Sequence, residues 1–173
     1  MLQQYTKKLL NRSDLSEAEA EQCLELILHG GTSEVVVASF LTALANKGEK
    51  PNEIAGFARV MRKNGVHIKC EQPKLIDTAG TGGGIDTFNI STAAAFVIVG
   101  AGVAVAKHGN RAVTSRCGSA DILDALGVQI DRPPEVSERA LNEFGIAFMF
   151  APLFHPAMKK VAPVRRSLGH RTI

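Results

Sequence analysis

The chain has 173 residues, with 20 Lys plus Arg against 17 Asp plus Glu and a formal charge of +3. Hydrophobic residues make up 45% and charged residues 21%, a globular composition that excludes disorder along the whole chain. The pI of about 8.9, with both charge signs interspersed, suits anionic small molecules at least as well as nucleic acid. Aromatic residues are only 5%, with no Trp, so a stacking platform for single strands has little material. Cys23, Cys70 and Cys117 are far apart and form no C-x-x-C pair. A disulfide framework or zinc site is therefore not expected, and a reducing cytoplasm is the expected location. Met1–Lys8 lacks the apolar core of a signal peptide. Phe88–Ala106 carries no charge, but its polar start and Gly100 and Gly102 make it a buried helix, a turn and a strand rather than a membrane span.

The first third of the chain reads as helices. Leu2, Tyr5, Leu9 and Leu10 are expected on one face of a short helix. Ser16-Glu17-Ala18-Glu19 is a capping-box signature, and Ala20, Cys23, Leu24 and Ile27 follow it at helical spacing up to Gly30. Thr32 or Ser33 caps a third helix through Val36, Phe40, Leu41 and Leu44, ending near Gly48. Pro51 opens a fourth, with Ile54, Phe57, Ala58 and Met61 at i, i+3, i+4, i+7 and Gly65 closing it.

Past Gly65 the pattern changes. Val66, Ile68 and Cys70 alternate with polar residues, which predicts a half-buried strand. Leu75-Ile76-Asp77 reads as a short strand entering a glycine loop. A helix is expected from about Ser91 to Val99 and a buried strand over Val103–Ala106. Ile122, Leu123, Ala125 and Leu126 suggest a helix stopped by Gly127, and Val128-Gln129-Ile130 a strand. Pro133-Pro134 starts a helix that Gly145 stops, and Ile146–Phe150 is an apolar run of the kind found in a central parallel strand. Strands alternating with helices imply an α/β sheet. The expected organisation is a helical domain, residues 1–65, followed by an α/β domain, residues 66–173.

Glycine is concentrated where a phosphate would need it. Asp77-Thr78-Ala79-Gly80-Thr81-Gly82-Gly83-Gly84 follows a strand and precedes a helix, so its backbone N–H groups can form an anion nest. The helix after it begins near Asn89-Ile90-Ser91-Thr92, adding hydroxyls and N-terminal N–H groups. The loop is neither a Walker A motif nor G-x-G-x-x-G. A second cluster, Lys107-His108-Gly109-Asn110-Arg111-Ala112-Val113-Thr114-Ser115, follows the buried strand ending at Ala106, and in it Lys107 and Arg111 offer positive charge. Both loops are expected at the carboxyl edge of the sheet, where ligands of open α/β sheets bind. Gly118-Ser119-Ala120-Asp121 starts a further helix and offers another anion-binding terminus. His155 and Arg165 stand in a third group; taken singly, their types suit packing and a surface ion pair.

Together, Gly80-Thr81-Gly82-Gly83, Thr87 to Thr92, Lys107 to Arg111, Gly118 to Asp121, and His155-Pro156-Ala157-Met158 through Arg165 to Ile173 closely resemble the anthranilate phosphoribosyltransferase family. The resemblance covers the whole chain. It implies an α/β protein with a small N-terminal helical domain and an incomplete, mainly parallel α/β domain of the nucleoside phosphorylase/phosphoribosyltransferase type. It also implies transfer of phosphoribose from phosphoribosyl pyrophosphate to the amine of anthranilate, in tryptophan biosynthesis, with Mg2+. By motif, Gly80, Gly83, Thr87, Asn89, Ser91, Thr92, Lys107, Ser115 and Ser119 would hold phosphoribosyl pyrophosphate, and Ser91 would also bind the metal. Gly80, Asn110 and Arg165 would contact anthranilate, with His108 and His155 near it and His108 the catalytic candidate.

The chain departs from the family pattern in two places. The glycine loop lacks the family's Asp, with Asp86 nearby as a substitute, and an Asp-Glu pair that holds magnesium in the family has no counterpart up to Ile173. The resemblance implies a homodimer through the leading helices, with Phe40 and Leu41 as contact candidates, and neither a membrane nor nucleic acid as partner. The alternatives are a non-catalytic phosphate or nucleic-acid binding module of the same fold, and a pyrimidine nucleoside phosphorylase.

Overall fold

A computed structural model describes residues 1–80, 88–112, 116–170 and 172. The chain packs as two compact units, Met1–Gly65 with His155–Ile173, and Val66–Phe154. No helix among the described residues is long and apolar enough to cross a membrane.

The first unit holds α1 (Leu2–Leu10), α2 (Glu17–His29), α3 (Glu34–Lys47) and α4 (Pro51–Lys63). Leu2, Tyr5 and Leu9 are buried, but Leu10 is turned out to solvent, because it lies about 100° round the helix from Leu9. The capping box at α2 forms: the Glu19 N–H donates to Ser16 Oγ at 3.2 Å and the Ser16 N–H to Glu19 Oε2 at 2.7 Å. Phe40 and Phe57 meet edge to face at 6.4 Å inside the common core. Phe40 and Leu41 are both buried there, which corrects their assignment as contacts for a second chain. Val161 and Val164, from the segment that returns after residue 154, complete the same core.

Glu53, on α4, is fully buried and accepts three hydrogen bonds, from the N–H groups of Leu15 and Lys50 (both 2.8 Å) and from Lys47 Nζ (2.9 Å). Lys47 also donates to Asp14 at 2.8 Å. Burial alone would lower the Lys47 pKa, but the hydrogen bonds to Asp14 and Glu53 outweigh it and raise the value.

α2 and α4 pack with almost no gap at Gly56. A Cβ there would lie 2.4 Å from the Glu17 carbonyl oxygen and 2.9 Å from Ala20 Cβ. Helix propensity alone predicts that Gly56→Ala stabilises by about 1 kcal/mol. Overpacking against a backbone atom predicts the opposite, a loss of about 1–3 kcal/mol. The second effect is expected to win, lowering the urea midpoint; a raised midpoint would show that α2 and α4 are not held this close.

The second unit is a parallel α/β sheet of order β1-β2-β3, made of β1 (Leu75–Ile76), β2 (Ala104–Gly109) and β3 (Ile146–Phe150). Ile76 pairs with Val105, Val105 with Ile146 and Gly109 with Phe150. Among the described residues β2 is therefore the central strand and β3 an outer one, the reverse of the reading from its apolar run. α5 (Ile90–Gly100) links β1 to β2, while α6 (Ser119–Ala125) and α7 (Pro134–Phe144) link β2 to β3. Gly145, in the left-handed conformation at φ 74°, ends α7 where the sequence placed its stop. α8 (Ala151–Phe154), a 3-10 turn (Pro156–Lys160) and α9 (Ala162–Leu168) complete the chain.

Two predicted strands are not strands. At 66–70 the alternation is real, because Ile68 and Cys70 pack beside Leu141. The backbone partner, however, is a helix: the Lys69 and Glu71 N–H groups donate to the side chains of Glu138 and Asn142 on α7. At 128–130 the chain wraps the end of α6, with the Val128 N–H bonded back to Leu123 O at 2.9 Å, and Ile130 is buried against Ala120 and Leu123.

Candidate functional site

β2 runs on to Gly109, three residues past its predicted end, so Lys107 and His108 lie in the strand rather than in the loop after it. Lys107 is 4% exposed. Its Nζ donates to the carbonyl oxygen of Thr78, after β1, at 2.6 Å and to Ser91 Oγ, in the first turn of α5, at 3.2 Å. Thr78 Oγ1 donates to the Ser91 carbonyl at 2.8 Å. One buried cation thus ties together the end of β1, the start of α5 and the carboxyl half of β2. Burial lowers the Lys107 pKa, opposed by the charge of Asp77.

His108 is half-buried, its ring edge-on to Phe154 at 6.4 Å. The His108 backbone N–H donates to Asp77 Oδ1 at 3.1 Å, and burial holds the imidazole pKa below its ordinary value, against the charge of Asp77. A neutral imidazole is the form a proton acceptor needs. Thr92 Oγ1 is buried and has no hydrogen-bond partner among the described residues, so it can receive a ligand oxygen as donor. Asn89 is the N-cap residue of α5 and donates from Nδ2 to the Gly118 carbonyl at 3.3 Å, linking that helix to the loop before α6.

Gly80 is exposed, and a Cβ there would meet nothing within 4 Å among the described residues. Asn110 is exposed; its side chain accepts from the Arg111 N–H at 2.8 Å, and its carbonyl from the Ala120 N–H at 3.1 Å and Ser119 Oγ at 3.4 Å. Gly83, Thr87, Ser115 and the substitute Asp86 lie outside the described residues. His155 and Arg165 belong to the helical unit. Arg165 is exposed and donates from Nε to Thr172 Oγ1 at 3.1 Å and from NH2 to the Thr172 carbonyl at 3.4 Å.

Two expectations about charge change. Arg111 is not a free cation at the sheet edge, because its guanidinium bonds Asp121 at 3.2 Å and Asp124 at 2.9 Å. The start of α6 is not an open anion terminus either: the Asp121 carboxylate accepts the N–H groups of Gly118 and Ala112, both at 2.8 Å. Sequence reasoning placed Asp77, Thr78 and Asp121 inside the site motifs but gave none of them a role of its own. Asp121 was legible as a carboxylate three residues after the cap position Gly118. The part played by Thr78 depends on pairing with Lys107, which no local pattern gives.

The described residues do not by themselves suit magnesium. Ser91 Oγ already accepts from an ammonium, which repels a dication, and no group of three or more His, Cys, Asp and Glu comes together among them.

The chain is thus a helical bundle followed by a parallel α/β sheet whose strand ends carry a buried lysine, hydroxyls and helix starts. Residues 3–65 match the helical bundle domain, and residues 72–173 the a/b domain, of the glycosyl transferase family, and the chain belongs to that family. The chain is 54% identical, over 99% of its length, to the anthranilate phosphoribosyltransferase of Moorella thermoacetica, of which it covers 51%. Among solved structures it is similar to the anthranilate phosphoribosyltransferase of Thermus thermophilus (TM-score 0.89, 48% identity, 96% of this chain and 51% of that one). It is also similar to the Saccharomyces cerevisiae enzyme in complex with PRPP and Mg (TM-score 0.88, 33% identity, 99% and 52%). The chain spans about half the length of the curated relatives it matches.

Proposed function

We propose that this chain supplies the phosphoribosyl pyrophosphate-binding half of an anthranilate phosphoribosyltransferase. The observation that carries the reading is the buried Lys107 ammonium, with the Ser91 hydroxyl beside it, at the strand ends of a family a/b domain. In the proposed reaction the C1–O bond of the phosphoribosyl group breaks toward pyrophosphate. The aromatic amine forms the new N–C1 bond and then loses a proton. Charge builds on the departing diphosphate, so a fixed ammonium and N–H donors at that end lower the barrier. Asn89, Ser91, Thr92, Lys107 and Ser119, with Gly80, Gly83, Thr87 and Ser115 by motif, are assigned to phosphoribosyl pyrophosphate. Gly80, His108, Asn110, His155 and Arg165 are assigned to anthranilate; guanidinium is the group best matched to its carboxylate. Mg2+ is proposed to enter with the diphosphate, completed by carboxylates other than those described above. A homodimer through the helical unit and a cytoplasmic location belong to the same reading.

The test uses the purified chain. Amide shifts of Asn89, Ser91 and Thr92 should move on titration with millimolar phosphoribosyl pyrophosphate. Fluorescent phosphoribosylanthranilate should form only when a polypeptide equivalent to the second half of the Moorella relative is added. Salt-dependent nucleic-acid binding without any response to phosphoribosyl pyrophosphate would replace this reading with the binding module. Turnover by the chain alone would show that the second half is not required.

A further inference from the structure

β1 leaves the sheet early. Among the described residues it pairs with β2 at Leu75 and Ile76 only, against Ala104 and Val105, while β2 runs on beside β3 to Gly109. Successive N–H groups of a strand point to opposite sides. The Val105 N–H points to β3, where it donates to the Gly145 carbonyl at 2.8 Å, so the His108 N–H points to the side that β1 has left. A continuing strand would offer a carbonyl there. The Asp77 side chain does so instead, its Oδ1 accepting the His108 N–H at 3.1 Å. The Thr78 carbonyl, not taken up by the ladder, receives Lys107 Nζ at 2.6 Å. The Thr78 hydroxyl donates to the Ser91 carbonyl at 2.8 Å, and Ser91 Oγ accepts from the same ammonium at 3.2 Å.

We propose that Asp77 is a positioning residue for the Lys107 ammonium: its carboxylate stands in for a strand carbonyl beside His108, and the Thr78 carbonyl is thereby laid against Lys107 Nζ. Thr78 and Ser91 take two of the three N–H groups of that ammonium among the described residues. The bearing of the third is then fixed, and it is the one offered to an anion. The other elements around Lys107 add no competing charge. β1, α5 and β3 carry no charged residue, and the α6 carboxylates, Asp121 and Asp124, both bond Arg111. The negative charge of Asp77 repels an anion, whereas its acceptor oxygen prepares the group that binds one. Charge and acceptor therefore act on affinity in opposite directions. This inference rests on the proposed function for the identity of the anion, but not for the positioning itself.

The experiment compares the full chain with Asp77→Asn and Asp77→Ala, using inorganic pyrophosphate and phosphoribosyl pyrophosphate as probes. It is run at mildly acid pH, which keeps Lys107 an ammonium once the supporting charge of Asp77 is gone. Asp77→Asn keeps an acceptor oxygen and loses the charge, so it should bind as tightly as wild type, or up to about threefold more tightly. Asp77→Ala loses both and should bind about tenfold more weakly. If Asp77 acted through its charge alone, both variants would gain affinity, and a gain in Asp77→Ala overturns the proposal. A merely structural role would lower Tm in Asp77→Ala and leave the affinity of the folded protein unchanged, which overturns it too. NMR gives a second readout. The side-chain ammonium protons of Lys107 and the His108 amide should exchange slowly in wild type and Asp77→Asn, and fast in Asp77→Ala. Should Asp77→Ala not fold, Asp77→Asn still decides, because weakened binding or a lost Lys107 ammonium signal in that variant overturns the proposal. If wild type binds neither probe, the proposed function fails, and the positioning stands or falls on the exchange of the Lys107 ammonium.

Discussion

Replacing Glu53 by Ala is expected to cost the helical unit about 3–5 kcal/mol, the range for breaking a buried ion pair by removing one partner. The carboxylate is fully buried, and the Lys47 side chain beside it is 3% exposed. Without Glu53, Lys47 keeps the half-exposed Asp14 as its one charged partner among the described residues, and the N–H groups of Leu15 and Lys50 lose their acceptor. Urea unfolding followed by helix circular dichroism measures the loss; a change below about 1 kcal/mol would mean that water replaces the carboxylate. Lys47 adds a pH signature. Its pKa is raised in the folded state, so its contribution is complete below the unfolded value of 10.5 and is lost as pH rises through the folded value. Loss of this term at neutral pH would contradict the assignment.

Lys107→Met is expected to weaken phosphoribosyl pyrophosphate binding by about 1.5–3 kcal/mol, roughly 10- to 150-fold, the range for a hydrogen bond to a charged group. Two of its three donors serve Thr78 and Ser91 among the described residues, so the variant also loosens the junction of β1 with α5. Here the pKa shift runs the other way. Burial disfavours the ammonium in the folded state, and that cost is present at neutral pH. It is relieved as pH rises from the lowered folded value toward the unfolded 10.5, so the α/β unit should gain stability across that window. Anion binding does the reverse, because a diphosphate prefers the charged form. Affinity in wild type should therefore fall as pH rises through the same window, while Lys107→Arg should stay flat. A flat wild-type profile would show that the substrate does not approach this group.

The helices were the most legible part of the chain, because apolar spacing and capping residues act within a few positions. Ser16 with Glu19, Pro51, and Gly145 each mark a boundary that local bonding decides. The strands were legible where their own residues formed short apolar runs, as at Leu75-Ile76 and Ile146–Phe150, although Leu75 and Ile76 are themselves exposed. At 66–70 the alternation reported half-burial correctly but could not say that α7, rather than a strand, supplies the partners. The end of β2 was misplaced because Lys107 is charged, and a charged residue is a poor strand signal until the Thr78 carbonyl that receives it is known. The same blindness to distant partners hid the commitment of Arg111 to Asp121 and Asp124. The glycine loop lies largely at residues 81–87, outside those described, so its assignment remains a proposal on motif.

The chain leaves the helical unit at Gly65 and returns to it at His155, so residues 66–154 are an insertion in the sequence of the helical unit. Closing a flexible loop of roughly 90 residues costs about 4 kcal/mol beyond a constant. The inserted unit removes most of that cost once it folds, because its two ends are joined: the Val66 N–H donates to the Phe154 carbonyl at 2.8 Å. During synthesis the first 65 residues emerge well before Val161 and Val164, which finish their core. The core of the helical unit can therefore be completed only after the inserted residues 66–154 have also been synthesised.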